Sequence, residues 1–463
     1  MGKTMSSKLA ARVLAAVLFL LFFSHFVYAQ QTEAARRSII RFGTETEITA
    51  LIQSLRADGA DYLDDELIEL AETTRNQRIL TGIFNFFGER EQSGLEDRAI
   101  RIIEERDDEA NETVHSAVDY LGWLRVARAV PVLKELLDTQ ERRFMNTAFR
   151  AIGRAASADE QYADEVAQFL VDFYSYRDPG EENQREVIIA IGATGSSKGV
   201  PLLAQIAANS DERIPLRMAA LDALARIGDP DGLDAIIAGV NSANPNVRIA
   251  AVGALGPFYG QAVDNAILEA FRDANYRTRI AASRASRDRR LQAAVPYLRF
   301  RAERDEVPGV RDEAIRALGA IGGDEALYAI ETFFSERRNP DRIRLLSAEM
   351  LMRNNACRYF PRLVEEMDYA QSRHQTNLFN GFLRLVGEAT IASQSYETMA
   401  VLESVTRRFM QSTNVIERLH ALDMAANNNL AGFESEIKTL AADRNESIAR
   451  RAKRAAERLG IEI

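Results

Sequence analysis

The chain has 463 residues, 46% of them hydrophobic and 27% charged, and a formal net charge of −10. That balance supports a packed core and excludes a globally disordered chain. Eleven prolines, one cysteine and four histidines exclude collagen-like, proline-rich and disulfide-stapled classes and leave little material for a metal cage.

The chain starts with a targeting pattern. Lys3, Lys8 and Arg12 form a positive, acid-free stretch, and Val13 to Phe23 is an unbroken apolar run that Ser24 and His25 interrupt. The stretch ends in Val27-Tyr28-Ala29, with small residues where a signal peptidase reads. This is the layout of a secretory signal over 1–29, cleaved between Ala29 and Gln30. The run is shorter than the ~18 apolar residues a spanning helix needs, so no membrane insertion is expected after cleavage. The alternative is an uncleaved anchor that tethers the same chain to the membrane. No cysteine follows the run, which excludes a lipoprotein anchor. Loss of the three cations takes the formal charge to about −13. The expected mature protein is acidic and exported, periplasmic or secreted, and its charge opposes nucleic-acid binding.

A short leader, 30–43, precedes the first helical pattern, a capping helix near Ile48 to Leu55. Acidic residues crowd Asp58 to Glu72 and Glu104 to Glu112. From Leu63 onward the chain is periodic. Arg217, Arg248, Arg279 and Arg311 each open a similar segment, RMAALDALARIG, RIAAVGALG, RIAASRASR and RDEAIRALGAIG, spaced 31, 31 and 32 residues apart. Arg344 follows after another 33. Ala220, Ala251, Ala282 and Ala314 stand three residues past the arginine, and Leu224, Leu255 and Leu318 seven past it. Those offsets share one helix face, where small residues admit a close neighbour and leucine fills the gap.

Glycine recurs at the end of such segments, at Gly88, Gly122, Gly153, Gly192, Gly256, Gly319, Gly387 and Gly460. It is expected to close each helix in a left-handed C-cap. Pro131, Pro201, Pro296 and Pro361 then open the next helix, because the first turn needs no N–H from them. Turn signals at Asn244-Pro245, Val307-Pro308 and Asn339-Pro340 separate the helices of a pair. The unit is therefore helix, turn, helix, turn, repeated about twelve times between Leu63 and Ile463 with no strand pattern, and with the capping helix it makes a solenoid over 44–463.

This periodicity resembles HEAT repeats, in the short bacterial form similar to the phycobilisome-lyase HEAT-like group. The residues that carry the resemblance are the R-x-x-A-x-x-A-L-G core at Arg248 and its copies, with the V-P-x-L helix start. It implies an all-α, α-solenoid superhelix of antiparallel helix pairs, one continuous array in which stacked units bury their apolar faces jointly. It also implies a wall of second helices suited to gripping another macromolecule.

The chemistry the chain could carry is thin. A hydroxylase of the HEAT type needs His-Glu pairs, and none of His115, His374 or His420 precedes a glutamate. These histidines are expected at the surface or at caps. Gly192-Ala193-Thr194-Gly195 follows a helix and lacks the Lys-Ser/Thr ending of a phosphate loop. Cys357 has no partner in the chain and reads as a small buried residue. No catalytic, cofactor or metal site is expected. A scaffold that binds another envelope protein is the first reading, and a lyase-like enzyme or enzyme accessory the second.

One unit breaks the pattern. Arg272 to Arg304 contains ten arginines against Asp273, Asp288 and Glu303. Ser286 replaces the usual leucine and Arg287 the usual glycine. Either these arginines form ladders with acids of adjacent repeats, or Arg284, Arg287 and Arg290 line a contact for an anionic partner. The spacing of three places them on one helical face if the helix continues.

Overall fold

The structure is a computed structural model that describes residues 33–177, 179–391 and 395–463. The signal pattern and its cleavage point at Ala29 and Gln30 lie outside the described residues. Among those described there are 25 α-helices and no strand. None of these helices is long and apolar enough to cross a membrane. The chain divides into two compact units, one ending at Gly232 and one spanning Leu233–Ile463.

In the first unit, α1 (Glu33–Phe42) occupies the segment read as a leader and packs on α2 (Glu45–Asp58) and on the helix that follows. Thr44 and Glu47 close a capping box on α2, each satisfying a backbone N–H that the first turn leaves unpaired. Five helix pairs follow: α3 (Asp64–Thr73) with α4 (Gln77–Glu89), α5 (Glu96–Glu104) with α6 (Asn111–Trp123), α7 (Val130–Asp138) with α8 (Arg142–Ala156), α9 (Glu160–Tyr176) with α10 (Gln184–Thr194), and α11 (Val200–Ala208) with α12 (Ile214–Ile227). The second helices pack on one another in series, α4 on α6, α6 on α8, α8 on α10 and α10 on α12. Their shared seam is apolar, with Phe84, Tyr120, Phe144, Phe149 and Ile191 fully buried. Each such side chain contributes about 2–3 kcal/mol by leaving water.

The second unit holds seven pairs: α13 (Leu233–Val240) with α14 (Pro245–Ala254), α15 (Gln261–Ala270) with α16 (Tyr276–Asp288), α17 (Val295–Arg304) with α18 (Pro308–Ile321), α19 (Gly323–Ser335) with the first half of α20 (Asp341–Ser372), the second half of α20 with α21 (Thr376–Glu388), α22 (Tyr396–Met410) with α23 (Val415–Asn427), and α24 (Glu434–Ala441) with α25 (Glu446–Leu459). Twelve pairs therefore follow α2, and both units are α-solenoids.

Two details of the sequence reading need correction. The recurrent glycines do not, in the main, cap helices. Gly88, Gly122, Gly153, Gly192, Gly319 and Gly387 lie inside the last turns of their helices, and only Gly460 of the set has the left-handed conformation, at φ 67°. What they permit is close packing of second helix on second helix. A Cβ on Gly122 would stand 2.8 Å from Ala151 Cα, and one on Gly192 2.7 Å from Ala223 Cα. No methyl fits there without moving a backbone.

The second correction concerns the prolines. Pro131, Pro201 and Pro296 stand in the first turn of α7, α11 and α17, as expected. Pro361 instead lies inside α20, six residues after a break at Asn355, whose φ of −156° and ψ of 85° are not helical. Proline cannot donate to the carbonyl four residues back. That carbonyl, on Cys357, accepts a hydrogen bond from Thr398 Oγ1 of α22 at 3.0 Å. Cys357 itself is a half-buried thiol without a disulfide partner.

Candidate functional site

The arginines that mark the repeats are chiefly structural. The Arg248 guanidinium donates to both carboxylate oxygens of Asp273, at 2.6 and 3.0 Å, and Arg279 does the same to Asp305 at 2.7 and 2.8 Å. Arg418 pairs with Asp443 at 2.6 Å and Arg344 with Glu366 at 2.7 Å. Each acid belongs to the next repeat. Asp273 Oδ1 also accepts the N–H of Asn275, whose side chain caps α16, and Asp443 does the same for Asn445 ahead of α25. One guanidinium thus fixes the turn that starts the neighbouring helix.

Burial alone would raise the pKa of Asp273 and Asp305. The hydrogen bonds from Arg248 and Arg279 and from backbone N–H groups outweigh it and hold both carboxyls below their ordinary value. The D-x-N turn, 25 residues after its arginine, is the signal in the sequence that the repeat reading passed over.

The basic segment 272–304 divides accordingly. Arg272, Arg279, Arg284, Arg287, Arg289, Arg299 and Arg301 each reach a carboxylate within 4 Å. Among the described residues Arg277, Arg290 and Arg304 have no acid partner. Of the paired arginines, Arg279, Arg284 and Arg287 reach an acid of the adjacent repeat, at Asp305 and Glu313, so the ladder reading accounts for part of the segment, and the other four pair within their own repeat. Ser286, in the leucine position, is fully buried with an unpartnered hydroxyl.

Arg284, Arg287 and Arg290 do not share one helical face. Helix α16 ends at Asp288, and Arg290 follows in a left-handed conformation at φ 49°. Arg284 is exposed and stands 3.6 Å from Glu313, while Arg287 bridges to the same carboxylate at 2.6 Å. Arg287 occupies the glycine position of its repeat. There it spans to α18 through Glu313, where other repeats press backbone on backbone.

The structure assembles a different set. A cleft of about 660 Å³ is lined by Arg287 and Arg290 from the end of α16, Arg316 and Gly319 from α18, and Arg353 from α20. Its one lining carboxylate is Glu349, which Arg353 meets at 2.6 Å. Glu313 lies behind the wall, nearly buried, with Arg316 3.8 Å away. Four guanidiniums thus face the opening against two carboxylates, and Arg290 is paired with neither. Arg284 is not part of the lining.

The profile of the spirochaete HEAT repeat protein family matches residues 40–455. The chain belongs to this family. Among curated proteins it is similar to an uncharacterized phycocyanin operon protein Y of Pseudanabaena tenuis, 26% identical over 197 residues that cover 40% of this chain and 44% of the relative. The chain therefore aligns with less than half of that relative.

Among solved structures it is similar to the karyopherin Kap121p bound to the extreme C-terminus of the phosphatase Cdc14p, at 12% identity, 98% coverage of this chain, 57% of that one and a TM-score of 0.46. Importin beta matches at 11% identity, 99% and 73% coverage and a TM-score of 0.41. Human deoxyhypusine hydroxylase matches at 19% identity, 68% and 98% coverage and a TM-score of 0.24.

In this HEAT chain the histidines stand apart from the cleft. His115 Nδ1 is 2.9 Å from Thr147 Oγ1 and its ring meets Phe144 edge-on. His420 packs where Gly387 leaves room. Burial lowers the pKa of both rings. They are half-buried between repeats rather than at the surface, and among the described residues His374 is the one exposed histidine. Among the described residues no three of His, Cys, Asp and Glu are grouped to hold a metal ion. Sequence reasoning missed Arg316 and Arg353 because it stopped at Arg304. They fall five and nine residues past the marker arginines Arg311 and Arg344, whereas Arg287 falls eight past Arg279, so no single offset marks them.

Proposed function

We propose that this HEAT repeat protein is an exported, non-enzymatic scaffold that binds another protein of the bacterial envelope. The observation that carries the reading is the unbroken family match over 40–455 onto stacked helix pairs, whose distinctive residues are consumed in packing and in Arg–Asp ladders. Export rests on the pattern of residues 1–29. The contact first drawn at Arg284, Arg287 and Arg290 is redrawn as the cleft of Arg287, Arg290, Arg316 and Arg353, where an acidic surface of the partner docks.

Two experiments test this. Mass spectrometry of the mature protein is expected to find a start at Gln30, and an intact Met1 would support the tethered form instead. Proximity labelling from the full chain in its own cell is expected to enrich envelope proteins, and enrichment of cytoplasmic enzymes alone would refute the reading.

A second reading, an accessory to lyase-type chemistry, is favoured by the partial likeness to the phycocyanin operon protein. It requires a visible-absorbance change when the protein meets a free bilin, which the scaffold reading does not expect.

A further inference from the structure

We infer that the basic cleft reads acidic side chains at a fixed spacing, one carboxylate per repeat, on an extended segment of the partner. The inference rests on the scaffold reading and deepens it. Its basis is the origin of the four arginines. Arg287 comes from α16 and Arg290 from the turn just past its end, Arg316 from α18 and Arg353 from α20, three second helices that pack consecutively.

Neighbouring packed helices lie roughly 8–10 Å apart. The three helices that carry the four arginines thus span roughly two such steps. An extended chain in the polyproline II conformation has three residues per turn and advances about 3.1 Å per residue, so side chains three residues apart share one face and are separated by roughly 9 Å. Acids at i, i+3 and i+6 therefore match successive helices.

The chemistry favours carboxylates, because the cleft already pairs its own arginines with them. Glu313 accepts from Arg287 at 2.6 Å and Glu349 from Arg353 at 2.6 Å. A planar guanidinium fork matches a carboxylate in two hydrogen bonds. Arg290 is the position with no internal competitor, and its left-handed backbone holds it beyond the end of α16. Gly319, Gly322 and Gly323 add no side chains of their own to the lining, which Ala320, Ile321, Met350 and Asn354 complete.

The test uses the full chain and three fluorescent peptides of equal length. One has glutamates at every third position, one has the same glutamates in a block, and one has glutamine at every third position. Anisotropy titrations are expected to show the spaced peptide binding at least about five-fold more tightly than the block, and the glutamine peptide not binding, because each exposed charge-assisted contact is worth roughly 1 kcal/mol.

Arg290→Asn, chosen because asparagine tolerates the left-handed backbone, and Arg316→Gln and Arg353→Gln should each weaken the spaced peptide roughly five-fold. Arg304→Gln, an unpaired arginine outside the cleft, should change nothing. Circular dichroism of each variant confirms the helical content.

Equal binding of spaced and block peptides, or equal losses from Arg304→Gln, would overturn the inference. So would saturable binding of inorganic phosphate with no binding of the glutamate peptides. If the peptides fail but proximity labelling recovers the same partners from a chain combining Arg290→Asn, Arg316→Gln and Arg353→Gln, the spacing inference falls and the scaffold stands. If the peptides bind as expected and labelling finds no envelope protein, the scaffold reading fails instead.

Discussion

Alanine in place of glycine usually strengthens a helix, by about 0.8–1 kcal/mol, because the unfolded chain loses freedom and the helix loses nothing. Gly122→Ala should do the opposite. The new methyl would stand 2.8 Å from Ala151 Cα and 2.9 Å from Ala151 Cβ, on a helix held by its own neighbours. Relief requires α6 and α8 to move apart, which unseats the fully buried Leu121, Phe149 and Ile152. Overpacking of this kind costs about 1–3 kcal/mol, so the net effect after the propensity gain is destabilisation of about 1 kcal/mol.

Gly253→Ala is the matched control. Gly253 is exposed in the last turn of α14, and no atom lies within 4 Å of its would-be Cβ. It should stabilise by about 0.5–1 kcal/mol. Long repeat arrays need not unfold in one step. The assay is therefore native-state hydrogen exchange on peptides covering residues 111–123 and 142–156, with urea midpoints alongside. Slower exchange in those peptides on Gly122→Ala would refute the close-approach account.

Further outcomes follow from the ladders and from the break in α20. Arg279→Met should lower stability by about 2–3 kcal/mol, below the 3–5 of a fully orphaned buried charge, because Arg301 remains 3.4 Å from Asp305. Arg248→Met should cost less, about 1–2 kcal/mol, since that pair keeps 19% and 10% side-chain exposure, and urea midpoints that rank the two in reverse would count against the ladder account.

The lowered pKa values of Asp273 and Asp305 set an acid limb. Their stabilisation is present above the unfolded carboxyl value of about 3.9 and is lost as pH falls through the lower folded values. Circular dichroism between pH 5 and about 2 should show that limb, and Asp305→Asn should flatten it. Thr398→Val keeps shape but orphans the Cys357 carbonyl that Pro361 leaves free, and a loss of about 1–2 kcal/mol in a thermal melt is expected.

Local, periodic features were legible in the sequence. The spacing of Arg217, Arg248, Arg279 and Arg311, with alanine and leucine at fixed offsets, was enough for the helix pair, its repetition and the family, because each repeat contacts mainly its neighbours. Twelve pairs were expected and twelve follow α2. The N-terminal pattern likewise belongs to the sequence alone, as it lies outside the described residues.

What a residue does between repeats was not legible. Gly122 and Gly460 look alike in the sequence, yet one allows a neighbour's approach and the other ends a helix. Whether an arginine is spent in a ladder or left facing a cleft depends on which acid the next repeat brings near it. Arg279 finds Asp305 and is consumed, while Arg290, thrown past the end of its helix, finds none. The cleft itself joins residues from three helices across 66 positions of chain, from Arg287 to Arg353. A periodic pattern fixes what each helix is, but distances between side chains on different helices arise only once those helices pack.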